Sequence, residues 1–156
     1  MTHLKEGDKA PAFSGLNENG EPVSLSDYKG KKLILFFYPQ ADTTSCTAEA
    51  CSLRDHYAEL REQGFDMLGV SPDAPKSQLK FKDKYQFPFH LLADKERKVL
   101  GKYGVWGPKI FFGKNVIGVL RTTFVIDEKG RIERIFGRVN TKKHALQILE
   151  SYRKGT

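Results

Sequence analysis

The chain has 156 residues, of which 39% are hydrophobic and 12% aromatic, and its formal net charge is +7. This length is common for one compact domain with a sizeable core, so we predict a single domain over residues 1–156. The sequence has no apolar run of about 18 residues, which a membrane helix needs. Its first twenty residues lack the apolar segment of a signal peptide, so we expect a cytoplasmic protein with no membrane partner.

The chain-order pattern is one of strands alternating with helices. A turn at residues 17–20 predicts an N-terminal β-hairpin with strands near 11–13 and 23–25. Further strands are predicted at 33–38, 65–70, 90–93, 122–126 and 131–136, and helices at 44–63, 74–85, 95–103 and 141–153. Asp73 is the expected N-cap of the second of these helices. The sequence therefore predicts an α/β fold, with a central mixed sheet flanked by helices and an N-terminal β-hairpin.

Residues 106–119 are harder to assign, because Gly107, Gly113 and Gly118 interrupt the segment. We interpret it as a loop that packs near the candidate site. Its apolar side chains are expected to fill the core, as buried aromatic residues usually do. The alternative is an exposed docking surface for a reductant or a second subunit.

Both cysteines of the chain, Cys46 and Cys51, lie just after the apolar run at 33–37. Pro39 ends that strand, and the residues from Asp42 to Ser45 are side chains that cap helices. A cysteine in the first turn of a helix meets unpaired N–H groups and the positive end of the helix dipole. Both favour the thiolate, so Cys46 is the candidate nucleophile. Glu49 is either a capping-box partner or a solvated helix residue.

Cys51 follows Cys46 by five residues. On a helix this offset gives a rise of about 7.5 Å and turns the side chains about 140° apart. A disulfide tolerates a Cα separation of at most about 7 Å. The two thiols therefore either never bond or bond after the first helical turns unwind. In the first case Cys51 is a core residue.

The residues around Cys46 resemble those of the peroxiredoxins. Pro39-x-x-x-Thr43-x-x-Cys46 is similar to the signature of that family, and the continuation to Asp55 resembles the bacterioferritin comigratory protein, or PrxQ, subgroup. The segment from Arg121 to Asp127 resembles the block in which the family carries its active-site arginine. The resemblance extends over nearly the whole chain and implies a thioredoxin-like fold.

The resemblance implies a thiol-dependent peroxidase that reduces hydrogen peroxide and organic hydroperoxides without a cofactor. Cys46 corresponds to the peroxidatic cysteine and Cys51 to the resolving cysteine, which form an intramolecular disulfide that thioredoxin or a similar dithiol reduces. Thr43 and Arg121 correspond to the residues that bind the thiolate and the peroxide, and Pro39 shields the pocket. The assembly is expected to be a monomer or a weak homodimer.

One departure from the family concerns the two positions before Cys46. They are usually Pro-Gly and are Thr44 and Ser45 here, which leaves the loop less constrained. The alternative function, a redox sensor that uses Cys46 without efficient turnover, stays open for this reason.

The remaining features favour no other chemistry. The four histidines are scattered without metal-ligand spacing, so no metal site is expected. No glycine-rich phosphate motif occurs. Lys76, Lys80, Lys82 and Lys84 give one helix a basic face, which we interpret as solvated rather than as a nucleic-acid surface. This face is also suited to an acidic thioredoxin.

Overall fold

The fold contains a seven-stranded mixed sheet that is flanked by helices. The structure is a computed structural model that describes residues 2–153 and, at residue 111, only the backbone. The strands are β1 (Ser14–Asn17), β2 (Pro22–Ser24), β3 (Lys32–Phe37), β4 (Phe65–Ser71), β5 (His90–Ala93), β6 (Trp106–Phe111), β7 (Lys114–Val119), β8 (Thr122–Ile126) and β9 (Ile132–Phe136). The helices are α1 (Thr44–Asp55), α2 (Tyr57–Glu62), α3 (Pro75–Tyr85), α4 (Lys98–Lys102) and α5 (His144–Arg153), with short 3₁₀ segments at Leu25–Tyr28 and Thr141–Lys143.

The strand order in the main sheet is β2-β1-β5-β4-β3-β8-β9, with β3, β4 and β5 parallel and the other pairs antiparallel. This is the expected mixed sheet of the thioredoxin-like fold. Successive side chains of a strand point to opposite faces, so the side chains of β3 pack alternately into two hydrophobic cores, one on each face of the sheet. Leu33, Leu35 and Phe37 belong to one, and Ile34 and Phe36 to the other, which also contains Cys46.

The register of the central strands positions the candidate site. β3 pairs with β8 so that Phe37, the last residue of β3, lies opposite Thr122, the first residue of β8. The loop that leads to Cys46 leaves β3 at this point, and Arg121 directly precedes Thr122. The antiparallel pairing therefore brings two distant segments of the chain to the same edge of the sheet.

The N-terminal hairpin is confirmed, but its strands lie closer to the turn than predicted. β1 begins at Ser14 rather than near residue 11, and β2 begins at Pro22. The turn itself is the predicted one. Asn17 Oδ1 accepts hydrogen bonds from the N–H groups of Asn19 and Glu21, at 2.9 and 3.1 Å.

Two predicted helices are interrupted. The helix predicted over 44–63 is broken at His56, whose Nδ1 lies 3.1 Å from the Ser52 carbonyl and donates to it. A side chain that donates to a helix carbonyl competes with the backbone N–H four residues later for the same acceptor, and the helix kinks there. The helix predicted over 141–153 begins instead with a 3₁₀ turn, and α5 starts at His144.

Two helix starts also differ from prediction. The N-cap of α3 is Ala74, not Asp73, because the Asp73 carboxylate accepts hydrogen bonds from the Ala41 N–H and the Ser71 hydroxyl. The helix predicted from residue 95 begins at Lys98. There the Asp94 carboxylate accepts from the N–H groups of the first turn, and Arg97 has a left-handed φ of 60°.

The prediction of a loop at 106–119 is wrong. The segment is an antiparallel hairpin of β6 and β7 that forms its own two-stranded sheet. The expectation that its apolar side chains fill the core is also wrong for Ile110, Phe112 and Ile117, which are 75%, 89% and 69% exposed. Val119, at the base of the hairpin, is buried.

Candidate active site

Cys46 lies in the first turn of α1, after the loop that leaves β3. Thr43 is the N-cap of this helix and has an extended backbone, so Cys46 is in the third helical position. The N–H groups of a first turn have no partner within the helix. The Cys46 side chain is 1% exposed and packs in the apolar core beneath the helix.

Arg121 places its guanidinium between Cys46 and Glu49. Nη2 donates to Cys46 Sγ at 3.3 Å, and Nη1 donates to Glu49 Oε1 at 2.5 Å. Burial opposes the charge of Arg121, but the charges of Glu49 and Cys46 raise its pKa above the ordinary value. The arginine is therefore held as a fixed cation against the sulfur.

Glu49 is a site residue that sequence analysis did not assign. It is neither a capping-box partner nor solvated, since its side chain is fully buried and is paired with Arg121. Burial raises the pKa of Glu49 to about 7, against the lowering effect of the Arg121 charge. The available signal was spacing, because residues three apart on a helix share a face. Cys46 and Glu49 have this spacing.

His144, at the start of α5, approaches Glu49 from the other side. Its Nε2 lies 3.8 Å from Glu49 Oε2 and 2.8 Å from Thr123 Oγ1. Its ring is completely buried, and burial lowers the pKa of His144 to about 4. The C-terminal helix therefore contributes to the surroundings of the arginine, which no local pattern in the sequence indicates.

Pro39 and Thr43 lie on the loop before α1. Pro39 lines a cleft of about 1000 Å³ together with Lys109, Leu120 and Arg121. The Thr43 hydroxyl donates to the Gln40 carbonyl at 3.0 Å. The cleft is therefore lined by Pro39 and by Arg121, whose guanidinium contacts the sulfur of Cys46.

Cys51 lies further along α1 and is partly buried. Both thiols are free, and α1 is continuous from Thr44 to Asp55. Burial raises the pKa of Cys51, while the charge of Arg54 lowers it and that of Asp55 raises it. Arg54 and Asp55 form an ion pair, with 2.9 Å between Nη2 and Oδ1. The arrangement is that of a dithiol with an intact helix.

Other kinds of site were sought in the described part of the chain. Within residues 2–153, no group of three or more His, Cys, Asp or Glu side chains is arranged to hold a metal ion. None of the helices in that range has the length and apolar character that a membrane crossing requires.

Known proteins resemble this chain over nearly its full length. A model of the AhpC/TSA family matches residues 6–135. The chain is 43% identical over 144 residues to peroxiredoxin Bcp of Escherichia coli K12, which covers 92% of each sequence. The crystal structure of peroxidoxin BcpB from Mycobacterium tuberculosis superposes with a TM-score of 0.85 at 34% identity, over 97% of this chain and 98% of that one. Bacterioferritin comigratory protein of Xanthomonas campestris gives a TM-score of 0.85 at 26% identity, over 99% of both chains.

Proposed function

Since this chain belongs to the AhpC/TSA family, in the Bcp/PrxQ group of peroxiredoxins, which are thiol-dependent peroxidases, we propose that it reduces hydroperoxides through Cys46. The observation that supports this role most directly is the 3.3 Å contact between Arg121 Nη2 and Cys46 Sγ in the first turn of α1. A fixed cation and a helix N-terminus both favour the thiolate, which is the nucleophilic form of cysteine.

In the first step the Cys46 thiolate attacks the terminal oxygen of the hydroperoxide. A sulfur–oxygen bond forms and the oxygen–oxygen bond breaks, so the sulfur is oxidised by two electrons to a sulfenic acid. The leaving oxygen takes a proton and departs as water or an alcohol. Arg121 donates hydrogen bonds to the peroxide oxygens as they gain charge. Thr43 turns its hydroxyl from the Gln40 carbonyl to the peroxide, and Pro39 shields the reacting atoms.

In the second step Cys51 attacks the sulfenic acid. The disulfide forms and one water molecule leaves. The two-electron oxidation of Cys46 is thereby shared by the two sulfurs of the disulfide. The rise between the two positions on an intact helix exceeds what a disulfide spans. The first turns of α1 therefore unwind, and Cys46 leaves the core. In this proposal, the form with an intact α1 and two free thiols is the one that binds the peroxide.

A dithiol protein, thioredoxin or a similar reductant, returns the enzyme to its starting form. Its thiolate attacks the disulfide, and exchange leaves both cysteines reduced and the reductant oxidised. The net charge of +7 favours encounter with an acidic partner. A reducing cytoplasm is the compartment in which such a cycle operates, and the chain works as a monomer or a weak homodimer without a cofactor.

The substrates we propose are hydrogen peroxide and organic hydroperoxides. The solved structures of Xanthomonas campestris bacterioferritin comigratory protein concern its alkyl peroxide reduction activity. The cleft beside Arg121 carries apolar side chains, including Leu4, Leu120 and Ile135, against which an alkyl group can pack.

Intact mass and free-thiol counts after one equivalent of hydrogen peroxide test this cycle. We expect the wild-type monomer to lose both thiols and two mass units. Cys51→Ser is expected to gain one oxygen on Cys46, and Cys46→Ser to consume no peroxide. Peroxide consumption by Cys46→Ser contradicts the assignment of the nucleophile. Sustained turnover with thioredoxin in Cys51→Ser contradicts the assignment of the resolving thiol.

A further inference from the structure

One oxygen of Glu49 is buried without a hydrogen bond. Oε1 accepts from Arg121, but within residues 2–153 no donor reaches Oε2. His144 Nε2 lies 3.8 Å from Oε2, beyond hydrogen-bond distance. Burying a charged carboxylate oxygen without a hydrogen-bond donor costs free energy. The contact between Glu49 and His144 therefore indicates more than simple packing.

The hydrogen bonds of Gln147 fix the tautomer of His144. Gln147 Nε2 donates to the Arg138 carbonyl at 2.8 Å, and its Oε1 accepts from the Asn140 N–H at 3.0 Å. His144 Nδ1 lies 2.9 Å from the same Oε1 and must therefore donate to it. In a neutral imidazole the other nitrogen then carries a lone pair, which accepts from Thr123 Oγ1.

Two lone pairs therefore face each other if Glu49 is ionised and His144 is neutral. One added proton removes this conflict, because either Oε2 or Nε2 can then donate to the other after an approach of about 1 Å and a rotation of the Thr123 hydroxyl hydrogen away from Nε2. We propose that Glu49 and His144 hold one proton between Oε2 and Nε2, and that this proton controls how much of the Arg121 charge reaches Cys46. His144 is in this case a positioning residue of the peroxidase, an inference that rests on the function proposed above.

The Arg121 cation opposes a proton on Glu49, and the burial of the carboxyl outweighs it. Arg121 faces Glu49 from the segment before β8, Cys46 from its own helix and His144 from α5. Lys109 of β6 adds a cation near Arg121 and Cys46, and burial, helped by the Arg121 charge, lowers the pKa of this lysine. Burial moves the pKa of Glu49 up to about 7 and that of His144 down to about 4.

The position of this proton affects the electrostatic environment of the Cys46 sulfur through Arg121, whose guanidinium donates to both Glu49 and Cys46. With the proton present, Glu49 is neutral and the guanidinium charge is directed at Cys46. When the proton leaves, a full carboxylate competes for the same cation at 2.5 Å, and a second negative charge lies beside the site of attack. The reaction of Cys46 with peroxide should therefore become slower as Glu49 ionises.

Single-turnover peroxide consumption tests the coupling in a Cys51→Ser background, where the reaction stops at the sulfenic acid. Glu49→Gln mimics the protonated form, so the ratio of the wild-type to the variant rate constant isolates the effect of Glu49 ionisation on the reaction. We expect this ratio to fall about threefold or more between about pH 5 and about pH 9. His144→Gln, which offers Oε2 a permanent N–H donor, should move the fall to lower pH by about one unit.

Glu18→Gln is the matched control, because Glu18 is another buried glutamate that pairs with a histidine and a cation, His90 and Lys82, and makes no contact with Cys46. Its ratio to wild type should stay constant with pH. Difference infrared spectra between the same pH limits should show the carbonyl band of a protonated glutamic acid, and Glu49→Gln should lack it.

The infrared band separates this inference from the proposed function, because it needs no turnover. A wild-type chain that shows the band and consumes no peroxide contradicts the function and leaves the proton site in place. Absence of the band, or a constant rate ratio in both Glu49→Gln and His144→Gln, overturns the inference.

Discussion

The opposite pKa shifts of Glu49 and His144 predict an unusual pH dependence of stability. Burial raises the pKa of Glu49 from 4.5 to about 7, so the folded chain binds a proton there that the unfolded chain releases. This stabilises the fold at pH values below 4.5, and the contribution is lost as the pH rises through 7. Burial lowers the pKa of His144 from 6.5 to about 4, so the unfolded chain binds the extra proton. The stability linked to His144 is present above 6.5 and is lost as the pH falls through 4.

The two effects cancel where their windows overlap, between pH 4.5 and 6.5. There the folded and unfolded chains each hold one proton, on Glu49 and on His144 respectively. Removal of one group leaves the effect of the other uncompensated. The free energy of unfolding then changes with pH by up to about 1.4 kcal/mol per pH unit. Over the overlap this amounts to about 2 kcal/mol.

Urea unfolding at several pH values measures these slopes. Relative to wild type, the free energy of unfolding of Glu49→Gln should rise with pH across the overlap, and that of His144→Gln should fall. The double variant lacks both groups, so its curve should again run parallel to that of wild type. Parallel curves for wild type and both single variants would refute the assignment of the buried proton.

Three further predictions concern the site and the core. Arg121→Met should lower the second-order rate constant with hydrogen peroxide about 10²- to 10³-fold, measured by stopped-flow, and an unchanged constant would exclude a role in the reaction. Gly69→Ala should lose about 1–3 kcal/mol in urea unfolding, since a Cβ there lies 2.8 Å from the ring of Phe36. Tyr38→Phe should lose about 1–3 kcal/mol in the same assay, because the Tyr38 hydroxyl donates to buried Gln78 Oε1; equal stability would show that water replaces the donor.

The central strands could be predicted from sequence because each is a short apolar run between turn residues. The hairpin of β6 and β7 could not, for a local reason. Its turn has positive φ at Phe112, 51°, and at Gly113, 76°. Hairpin turns of this kind usually carry Asn or Asp before the glycine. A phenylalanine at that position gives no turn signal.

The candidate site was predictable to the extent that it lies in motifs. Cys46 follows from the strand, the capping residues and the start of a helix. Arg121 followed from the family resemblance, because it is 75 positions from Cys46 and is brought near it by the pairing of β3 with β8. Glu49 and His144 were missed as a pair, since their meeting depends on how α5 packs against α1. That packing is tertiary, and neither residue type indicates burial.

The structure also accounts for how the loop before α1 is constrained without the usual Pro-Gly. Proline at the first helical position fixes φ and prepares the chain for the helix. Here Thr44 takes that position, and α3 and its preceding loop hold the segment instead. The Ala41 N–H donates to the Asp73 carboxylate at 2.8 Å. The Asp42 carboxylate accepts from Lys84 Nζ at 2.9 Å and from the Tyr85 hydroxyl at 3.0 Å.

These contacts differ from a proline in one respect that bears on the catalytic cycle. A proline restrains its own backbone angle in every state of the chain, whereas hydrogen bonds to α3 restrain the loop only while it lies in place. Asp42 itself has a φ of 63°, a left-handed conformation that aspartate adopts more readily than most residues other than glycine. In the proposed cycle, the replacement would hold the loop while α1 is intact and would place less restraint on an unwound form in which Cys46 reaches Cys51.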